Sequence, residues 1–335
     1  MRIPISYIFR RFLMFLFIIW ATASLNFLLP RLAPGDPVSA MISRMSKQGA
    51  TTIGTDKLIA HYREIFGIGE PLPVQYARYL NEIALGNLGY SLAYFPATVK
   101  DIISRALPWT VGLLLTATLI SFVIGTLLGA LIVWKPNASF AAAVSTLLMV
   151  LSAIPYYLLA ILLLYALAFG LKILPAGGTS EIGQFGQTGF ESWLDILRHS
   201  ILPGLSIVLA SIGGWVLNMR GLTVSVMGED YLNLARAKGL PDGVIFLRYA
   251  LRNAILPQIT VLAIALGQVV SGAALVEIIY SYPGVGYQLY RAVGNADYTL
   301  IQGITFILVL TVAVAILALD LLYPYLDPRI SYQRR

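Results

Sequence analysis

The chain has no cysteine, so it can form neither a disulfide nor a thiolate metal site. It has only two histidines, His61 and His199, and neither stands at ligand spacing from other metal-binding residues. Charged residues are scarce as well, at 12% of the 335 residues, against about 25% in a typical soluble domain. Together with 58% hydrophobic residues, this shortage of charge indicates a protein that resides in a lipid bilayer.

The motifs of common catalytic sites are also absent. The dipeptide Gly-Lys occurs nowhere, so there is no G-x-x-x-x-G-K-[ST] phosphate-binding loop, and neither H-E-x-x-H nor G-x-S-x-G is present. The chain therefore lacks a nucleotide-hydrolysing site of the phosphate-loop type. Energy from ATP would have to reach it through another subunit, and the chain itself is predicted not to be an enzyme.

What the chain does contain is six long apolar runs. A helix crosses about 30 Å of hydrocarbon with roughly 20 residues. The runs lie at about 12–30, 107–134, 138–170, 201–222, 254–280 and 300–324. They do not alternate apolar and polar residues, as the strands of a membrane barrel would. We therefore predict an all-α integral membrane protein with six transmembrane helices.

The first apolar run has some features of a secretory signal peptide, because a basic start precedes it and "ATA" resembles a cleavage site. The apolar sequence nevertheless continues through "SLNFLLP" to the length of a full span. We expect residues 1–30 to form a retained amino-terminal transmembrane helix.

The basic residues predict the orientation, since short cytoplasmic segments are rich in Lys and Arg. With the amino terminus inside, the inner segments hold 12 basic residues and the short outer loops hold only Lys172, Arg198 and Arg291. Both termini are therefore predicted to be cytoplasmic. The net charge of +7 suits contacts with anionic lipid at the inner surface and requires no nucleic acid.

This topology divides the chain into three parts. Residues 1–30 form the amino-terminal helix, residues 31–106 a structured external region, and residues 107–335 the core transmembrane domain. The core contains one long cytoplasmic loop, at 223–253, which is unusually rich in charge for this chain.

The segment "EDYLNLARAKGLPDG", residues 229–243, is the most polar part of that loop. Glu229 and Asp230 stand where a helix amino terminus favours anions, and Lys238 stands where the carboxyl terminus favours a cation. Gly239, with the proline that follows, is a helix stop signal. The segment therefore predicts a helix of about nine residues, which is marginal in water by itself.

The centre of this short helix favours contact with another surface. It alternates small and basic residues: Ala235, Arg236, Ala237 and Lys238. Tyr231 and Leu234 are three apart and give the helix an apolar edge that a partner can bury. Two interpretations are open on these residues alone: a helix that docks into a groove of a cytoplasmic protein, or a solvated helix that rests on the lipid head groups.

The segments "EDYLNLARAKGL" and "LRYALRNAILPQ" resemble the cytoplasmic signature loop of binding-protein-dependent ABC importer permeases of the dipeptide, oligopeptide and nickel branch. Similar segments follow the family's order elsewhere: "LPRLAPGDPV", "PLPVQYARYL", "LGNLGYSL", "VEIIYSYPGVGYQLYRAV" and "DLLYPYLDPRI". The general importer motif has its "I-x-L-P" closer to the glycine. Here "ILP" ends at Pro257, 18 residues after Gly239, and the longer insert is typical of the peptide branch.

The resemblance implies a type I ABC importer permease fold in the inner membrane. It implies three kinds of partner: a second homologous permease subunit, two ATP-binding cassette subunits, and an extracytoplasmic substrate-binding protein. ATP and Mg²⁺ would bind to the ATPase subunits, and this chain would hold no cofactor. Closure of the ATPases on ATP would drive alternating access of the pathway.

The resemblance also implies that the short helix is the coupling helix, which inserts into a groove of an ATPase subunit. The role carries over to Glu229, Asp230, Tyr231, Leu234, Ala235, Arg236, Ala237, Lys238 and Gly239. The following insert places Arg248 and Arg252 four apart on one helical face. It is interpreted either as an interfacial helix with its basic face toward lipid phosphates or the ATPase, or as a plain extension of the fifth span.

Polar residues within the spans are candidates for lining the pathway, because they are costly in lipid. The candidates are Asn218, Gln268, Ser271 and Glu277. Helix packing is the alternative role for small hydroxyl residues, and a bond to the following "YSYPGVG" turn is the alternative for Glu277. Asp320, near the inner end of the sixth span, is expected to pair with a basic residue at the inner surface.

Two other protein classes fit the sequence less well than an importer subunit does. An ion-driven secondary transporter is expected to show buried ionisable residues and internal repeats, and the sequence shows only peripheral acids and no repeat. An intramembrane enzyme requires a nucleophile with a base, or a metal cluster, within the spans. The substrate stays open among peptides, oligosaccharides, opines and nickel, because the binding protein does most of the selecting in such systems.

Overall fold

The computed structural model describes residues 5–32, 70–134, 139–178, 190–268 and 274–326. Its elements are α1 Ile5–Leu32, α2 Leu72–Ala84, α3 Val99–Trp134, α4 Ser139–Ala153, α5 Tyr156–Leu163, π1 Leu164–Gly170, α6 Phe190–Met227, α7 Asp230–Ala237, α8 Asp242–Val244, π2 Ile245–Ala250, α9 Leu251–Gln268, α10 Ala274–Ile279, α11 Val285–Gly294 and α12 Tyr298–Leu326. In these ranges β-structure is limited to an isolated bridge between Tyr90 and Thr98. The all-α prediction is confirmed for the part of the chain that is described.

Five helices in the described ranges are long and apolar enough to cross a membrane. They cover Ile5–Leu28, Val99–Trp134, Trp193–Met227, Asp242–Leu266 and Tyr298–Ala318. The run predicted as one span at 138–170 is instead two helical pieces, and the chain bends by 104° between them. Pro155 separates them, because proline lacks a backbone donor and disfavours helix at the preceding residue. The prediction of six spans is met when this bent pair is counted as one crossing.

Two spans are longer than the apolar runs that predicted them. α3 begins at Val99 rather than near 107, and α6 begins at Phe190 rather than near 201. The start of α3 has a local cause, since the Thr98 hydroxyl accepts a hydrogen bond from the Asp101 N–H at 3.1 Å and so caps the helix. Hydropathy detects only the part of a helix that lies in lipid, and polar extensions of this kind escape it.

Contacts group the chain into two compact units. One comprises Met1–Pro108, Gly284–Tyr325 and Arg329–Arg335, and the other comprises Trp109–Pro283 and Leu326–Pro328. The three parts predicted from the sequence were defined by position relative to the membrane, whereas these units are defined by packing. The predicted division stays a prediction.

In the unit that contains α6, close helix crossings depend on glycine. A methyl group at Gly213 of α6 would lie 2.7 Å from the backbone oxygen of Leu148 on α4. A methyl group at Gly129 of α3 would lie 2.9 Å from the Cβ of Met219 on α6. Small residues let membrane helices approach until their backbones pack. Gly213 and Gly129 therefore serve helix packing.

In the unit that contains α1 and α12, polar contacts join these two helices near both ends. Arg11 Nη1 lies 3.2 Å from Asp320 Oδ2, and the Tyr7 hydroxyl donates to the Asp320 backbone oxygen at 3.2 Å. Toward the other end, Asn26 Nδ2 donates to the Gln302 backbone oxygen at 3.2 Å, and Gln302 Nε2 donates to the Asn26 backbone oxygen at 2.6 Å. Asp320 thus pairs with a basic residue, as predicted.

A buried carboxylate anchors the described part of the predicted external region. Asp297 stands directly before α12 and is fully buried. Its Oδ1 accepts a hydrogen bond from the Leu300 N–H at 3.0 Å, which is the bond of a helix cap. Its Oδ2 accepts from the Ser91 hydroxyl and from the Ala93 N–H. About half of the predicted external region, residues 33–69, lies outside the described residues.

Asp297→Ala is expected to destabilise the chain strongly. The change removes the helix cap and leaves the buried Ser91 hydroxyl without its acceptor, at about 1–3 kcal/mol for an unsatisfied buried group. The measurement is the midpoint of thermal unfolding of the purified chain in detergent. Asp242→Ala, at an exposed carboxylate, is the matched control. Equal midpoints for the two variants would contradict the anchoring role of Asp297.

Candidate coupling surface

The short helix predicted from the sequence is present as α7, with Glu229 in extended conformation directly before it. The chain leaves α7 through Gly239, which has φ +73°. Residues with a Cβ adopt this region at a cost. No atom lies within 4 Å of the place where a side chain at Gly239 would begin. Glycine is therefore required at this position by the backbone turn, and not by a close approach within the chain.

The inner edge of α7 is buried in the chain's own core. Leu232 is fully buried and Ala235 is 4% exposed. The residues packed with them come from α3, α6, π2 and α9: Ala130, Met219, Ile245, Phe246, Ala250 and Ala254. The sequence interpretation assigned Ala235 to the partner surface. The structure instead places it against the chain itself, where its small side chain allows α7 to lie close to the helix ends.

An aromatic stack reinforces this core. The rings of Trp134, the last residue of α3, and Phe246 of π2 lie 4.8 Å apart and are inclined by only 5°. Offset stacking of this kind adds to the energy gained from burial. The ends of α3 and π2 are therefore joined directly beneath α7. α7 and these helix ends therefore belong to one packed cluster.

The outer edge of α7 is open. Leu234 is 58% exposed and Tyr231 is 37% exposed. The other predicted coupling residues that are exposed are Glu229, Asp230, Arg236, Ala237, Lys238 and Gly239. Tyr231 and Leu234 thus form the apolar edge predicted from their spacing, with charged side chains on both sides. This edge, with its charged rim, is available to a partner.

One predicted pathway residue belongs to a buried amide network that the sequence analysis did not detect. Asn218 Nδ2 of α6 donates to Gln258 Oε1 of α9 at 2.8 Å. Gln258 is fully buried, and its Nε2 donates to the Trp215 backbone oxygen at 3.2 Å and to the Thr126 hydroxyl at 3.3 Å. These bonds join α3, α6 and α9. The signal in the sequence was a glutamine near the start of the apolar run at 254–280.

Glu277, another candidate for lining the pathway, has a partner within this chain. It is fully buried on α10, and its Oε1 accepts a hydrogen bond from the Thr110 hydroxyl of α3 at 2.7 Å. Burial raises the pKa of Tyr282, five residues further on; the nearby Ser200 hydroxyl lowers this pKa, and the charge of Glu277 raises it. Within this chain Glu277 therefore joins two helices.

The remaining pathway candidates are not described by the structure. Ser271 and the side chain of Gln268 lie outside the described residues, so their predicted roles stay predictions. Among the described residues, no three or more His, Cys, Asp or Glu side chains are grouped as a metal site would require.

Residues 121–332 match the model of a protein family described as binding-protein-dependent transport system inner membrane component. The chain belongs to this family. The match covers more than half of the chain and includes α7, π2 and the core into which they pack.

Similarity to individual permeases extends over nearly the whole chain. A putative peptide permease protein of Brucella suis is 33% identical over 98% of this chain and 99% of its own length. The oligopeptide transport system permease protein AppB of Bacillus subtilis is 29% identical over 98% and 99% of the two chains. The corresponding protein OppB of Salmonella typhimurium is 28% identical over 98% and 100%. The resemblance inferred from the motifs is confirmed, and the permease is a multi-pass membrane protein of the type I fold.

The Asn218–Gln258 bond of this permease should stabilise the packing of α6 against α9 by a measurable amount. Gln258→Leu is expected to lower the thermal unfolding midpoint in detergent, since it leaves Asn218 and the Trp215 carbonyl without this partner. Asn218→Leu should lower it less, because Gln258 keeps its other bonds. The double variant should lose less free energy of unfolding than the two single variants lose together. The expected difference is about 0.6 kcal/mol, the average for such bonds in membranes. Strict additivity would show that the pair does not interact.

Proposed function

We propose that this permease forms half of the translocation pathway of an ATP-driven peptide importer and that α7 is its coupling helix. The observation that carries the proposal is the two-sided construction of α7. Its inner edge is locked into a core made from the ends of the spans, and its outer edge offers Leu234 and Tyr231 to a partner. A helix that only rested on head groups could shift without moving the spans, and α7 cannot.

The packing suggests the route by which a push on α7 reaches the membrane. The outer edge receives the contact, and Leu232 and Ala235 pass the displacement to the core beneath. The Trp134–Phe246 stack brings in the end of α3. The Gln258 network ties α3, α6 and α9 together further along. The helices would thus move as a group, which alternating access requires.

The proposal includes partners that supply what this chain lacks. Without a phosphate loop, the chain would depend on two ATP-binding cassette subunits, which bind ATP and Mg²⁺ and supply the free energy for the conformational change. A second homologous permease would complete the pathway, and an extracytoplasmic binding protein would deliver the substrate. The distribution of basic residues supports a cytoplasmic position for α7 and both termini.

Peptides are the substrate class we propose, because the similar permeases are described as peptide, oligopeptide and dipeptide permeases. Oligosaccharides are the main alternative, and opines or nickel are others. An ion-gradient mechanism has less support, since Asp320 pairs with Arg11 and Glu277 accepts a bond from Thr110. Neither acid stands alone as a proton-coupling group would.

Two leucines on opposite edges of α7 give a matched test of the coupling role. Leu234→Ala should leave the thermal unfolding midpoint of the chain nearly unchanged, because Leu234 is exposed. It should weaken association with the ATPase subunits about fivefold or more, as expected for an interface residue whose truncation costs about 1 kcal/mol. Substrate-stimulated ATPase activity of the reconstituted complex should fall in parallel.

Leu232→Ala is the matched comparison, since the same atoms are removed from the buried edge. It should destabilise the chain by about 2–5 kcal/mol, as for other buried leucines. If Leu234→Ala associated with the ATPases and stimulated their activity as the wild type does, this edge of α7 would not contact the ATPases.

The substrate class can be tested on the binding protein that accompanies this permease. Thermal unfolding of that protein is measured with mixed di- to pentapeptides and, separately, with oligosaccharides, an opine and Ni²⁺. Peptides should raise the midpoint, because a ligand that binds only the folded state stabilises it. Stabilisation by oligosaccharides alone would replace peptides in the proposal and leave the coupling role of α7 intact.

A further inference from the structure

A shallow groove lies between α7 and the beginning of α9. It is lined by Tyr231, Arg248, Tyr249, Arg252, Asn253 and Leu256. Tyr231 comes from the coupling helix, whereas the other five residues come from π2 and the first turns of α9. The groove therefore adjoins the outer edge of α7 but is built mainly by the membrane-spanning helix.

The groove carries two unbalanced positive charges. Arg248 and Arg252 are both exposed, and neither forms an ion pair or a hydrogen bond with any residue that the structure describes. Like charges four residues apart on one helical face repel each other. Guanidinium groups bind phosphate through paired N–H donors. Charge complementarity thus points to an anionic ligand that carries a phosphate.

The groove also offers an ordered hydroxyl group. Asn253 Nδ2 donates to the Tyr231 hydroxyl at 2.9 Å and to the Tyr249 backbone oxygen at 2.9 Å. Asn253 thereby holds Tyr231 in position. Because the Tyr231 oxygen accepts that bond, its own O–H can donate to a ligand in the groove.

The same helix continues with exposed apolar side chains, the first of which also lines the groove. Leu256 is 61% exposed, and Ile259, one turn further along, is 47% exposed. Both belong to the candidate span Asp242–Leu266. A pair of arginines followed by an exposed apolar stripe along one span matches a phospholipid, with a charged phosphate above a hydrocarbon chain. An acidic protein segment would match the arginines but not the stripe.

We propose that this groove binds one anionic phospholipid. Its phosphate lies between Arg248 and Arg252 and accepts a hydrogen bond from the Tyr231 hydroxyl. One acyl chain lies along Leu256 and Ile259. Since Tyr231 is also part of the outer edge of α7, the bound lipid lies directly beside the proposed coupling surface.

The test measures binding of a fluorescent phosphatidylglycerol to the purified full-length chain in a neutral detergent. The variant R248Q/R252Q should bind it about tenfold more weakly or worse, because it removes both guanidinium groups that hold the phosphate in the groove. The control R10Q/R220Q removes two exposed arginines outside the groove and should bind as the wild type does. Leu256→Asn should weaken binding of the lipid, because it removes an apolar contact of the acyl chain. Glycerol phosphate has no acyl chain, so the concentration at which it displaces the lipid phosphate should give the same affinity for this variant and for the wild type.

Three results would overturn the proposal. The first is equal binding of phosphatidylglycerol by R248Q/R252Q and the wild type. The second is equal affinity of the wild type for a neutral fluorescent phosphatidylcholine. The third is equal lipid binding by the wild type and R248Q/R252Q when the ATPase subunits are bound. This result would show that the ATPases cover the groove and that the groove is a protein contact. Lipid binding is measured without transport, so failure here leaves the coupling proposal untouched.

Discussion

The burial of Leu232 and Ala235 against the ends of α3, α6 and α9 is the contact that makes α7 part of the membrane domain. A helix of eight residues has too few internal hydrogen bonds to persist in water by itself. Its stability must come from this packing, and the same packing fixes its direction. The exposed edge is then presented to the exterior by a rigid support, and displacement of that edge cannot be absorbed locally.

The bilayer imposes the second constraint. Without water in the hydrocarbon region, a polar side chain in a span must find a partner in the protein. Gln258 is paired with Asn218, Thr126 and the Trp215 carbonyl, and Glu277 accepts a bond from Thr110. In the described part of the permease, these polar residues hold helices together. Where two helices cross closely, glycine lets their backbones pack together, as at Gly213.

Two kinds of surface meet beside α7. Its outer edge combines an exposed leucine with charged neighbours, which suits a protein groove, whereas Arg248 and Arg252 stand above the apolar stripe of α9, which suits a lipid. Tyr231 belongs to both surfaces. Under the two proposals, the same side chains would respond to a displacement of α7 and to a change in lipid occupancy.

The sequence by itself determined that the protein resides in a bilayer, the approximate positions of the spans, and the ends of the short helix α7. These features follow from composition and from residues within one turn of each other. Glu229, Asp230 and Gly239 mark those ends without any knowledge of the fold. The tertiary structure alone decided that Ala235 faces inward, that Gln258 joins three helices through its hydrogen bonds, and that Glu277 meets Thr110. Those partners lie far apart in the chain, and no local pattern of hydrophobicity or charge records which helix faces will meet.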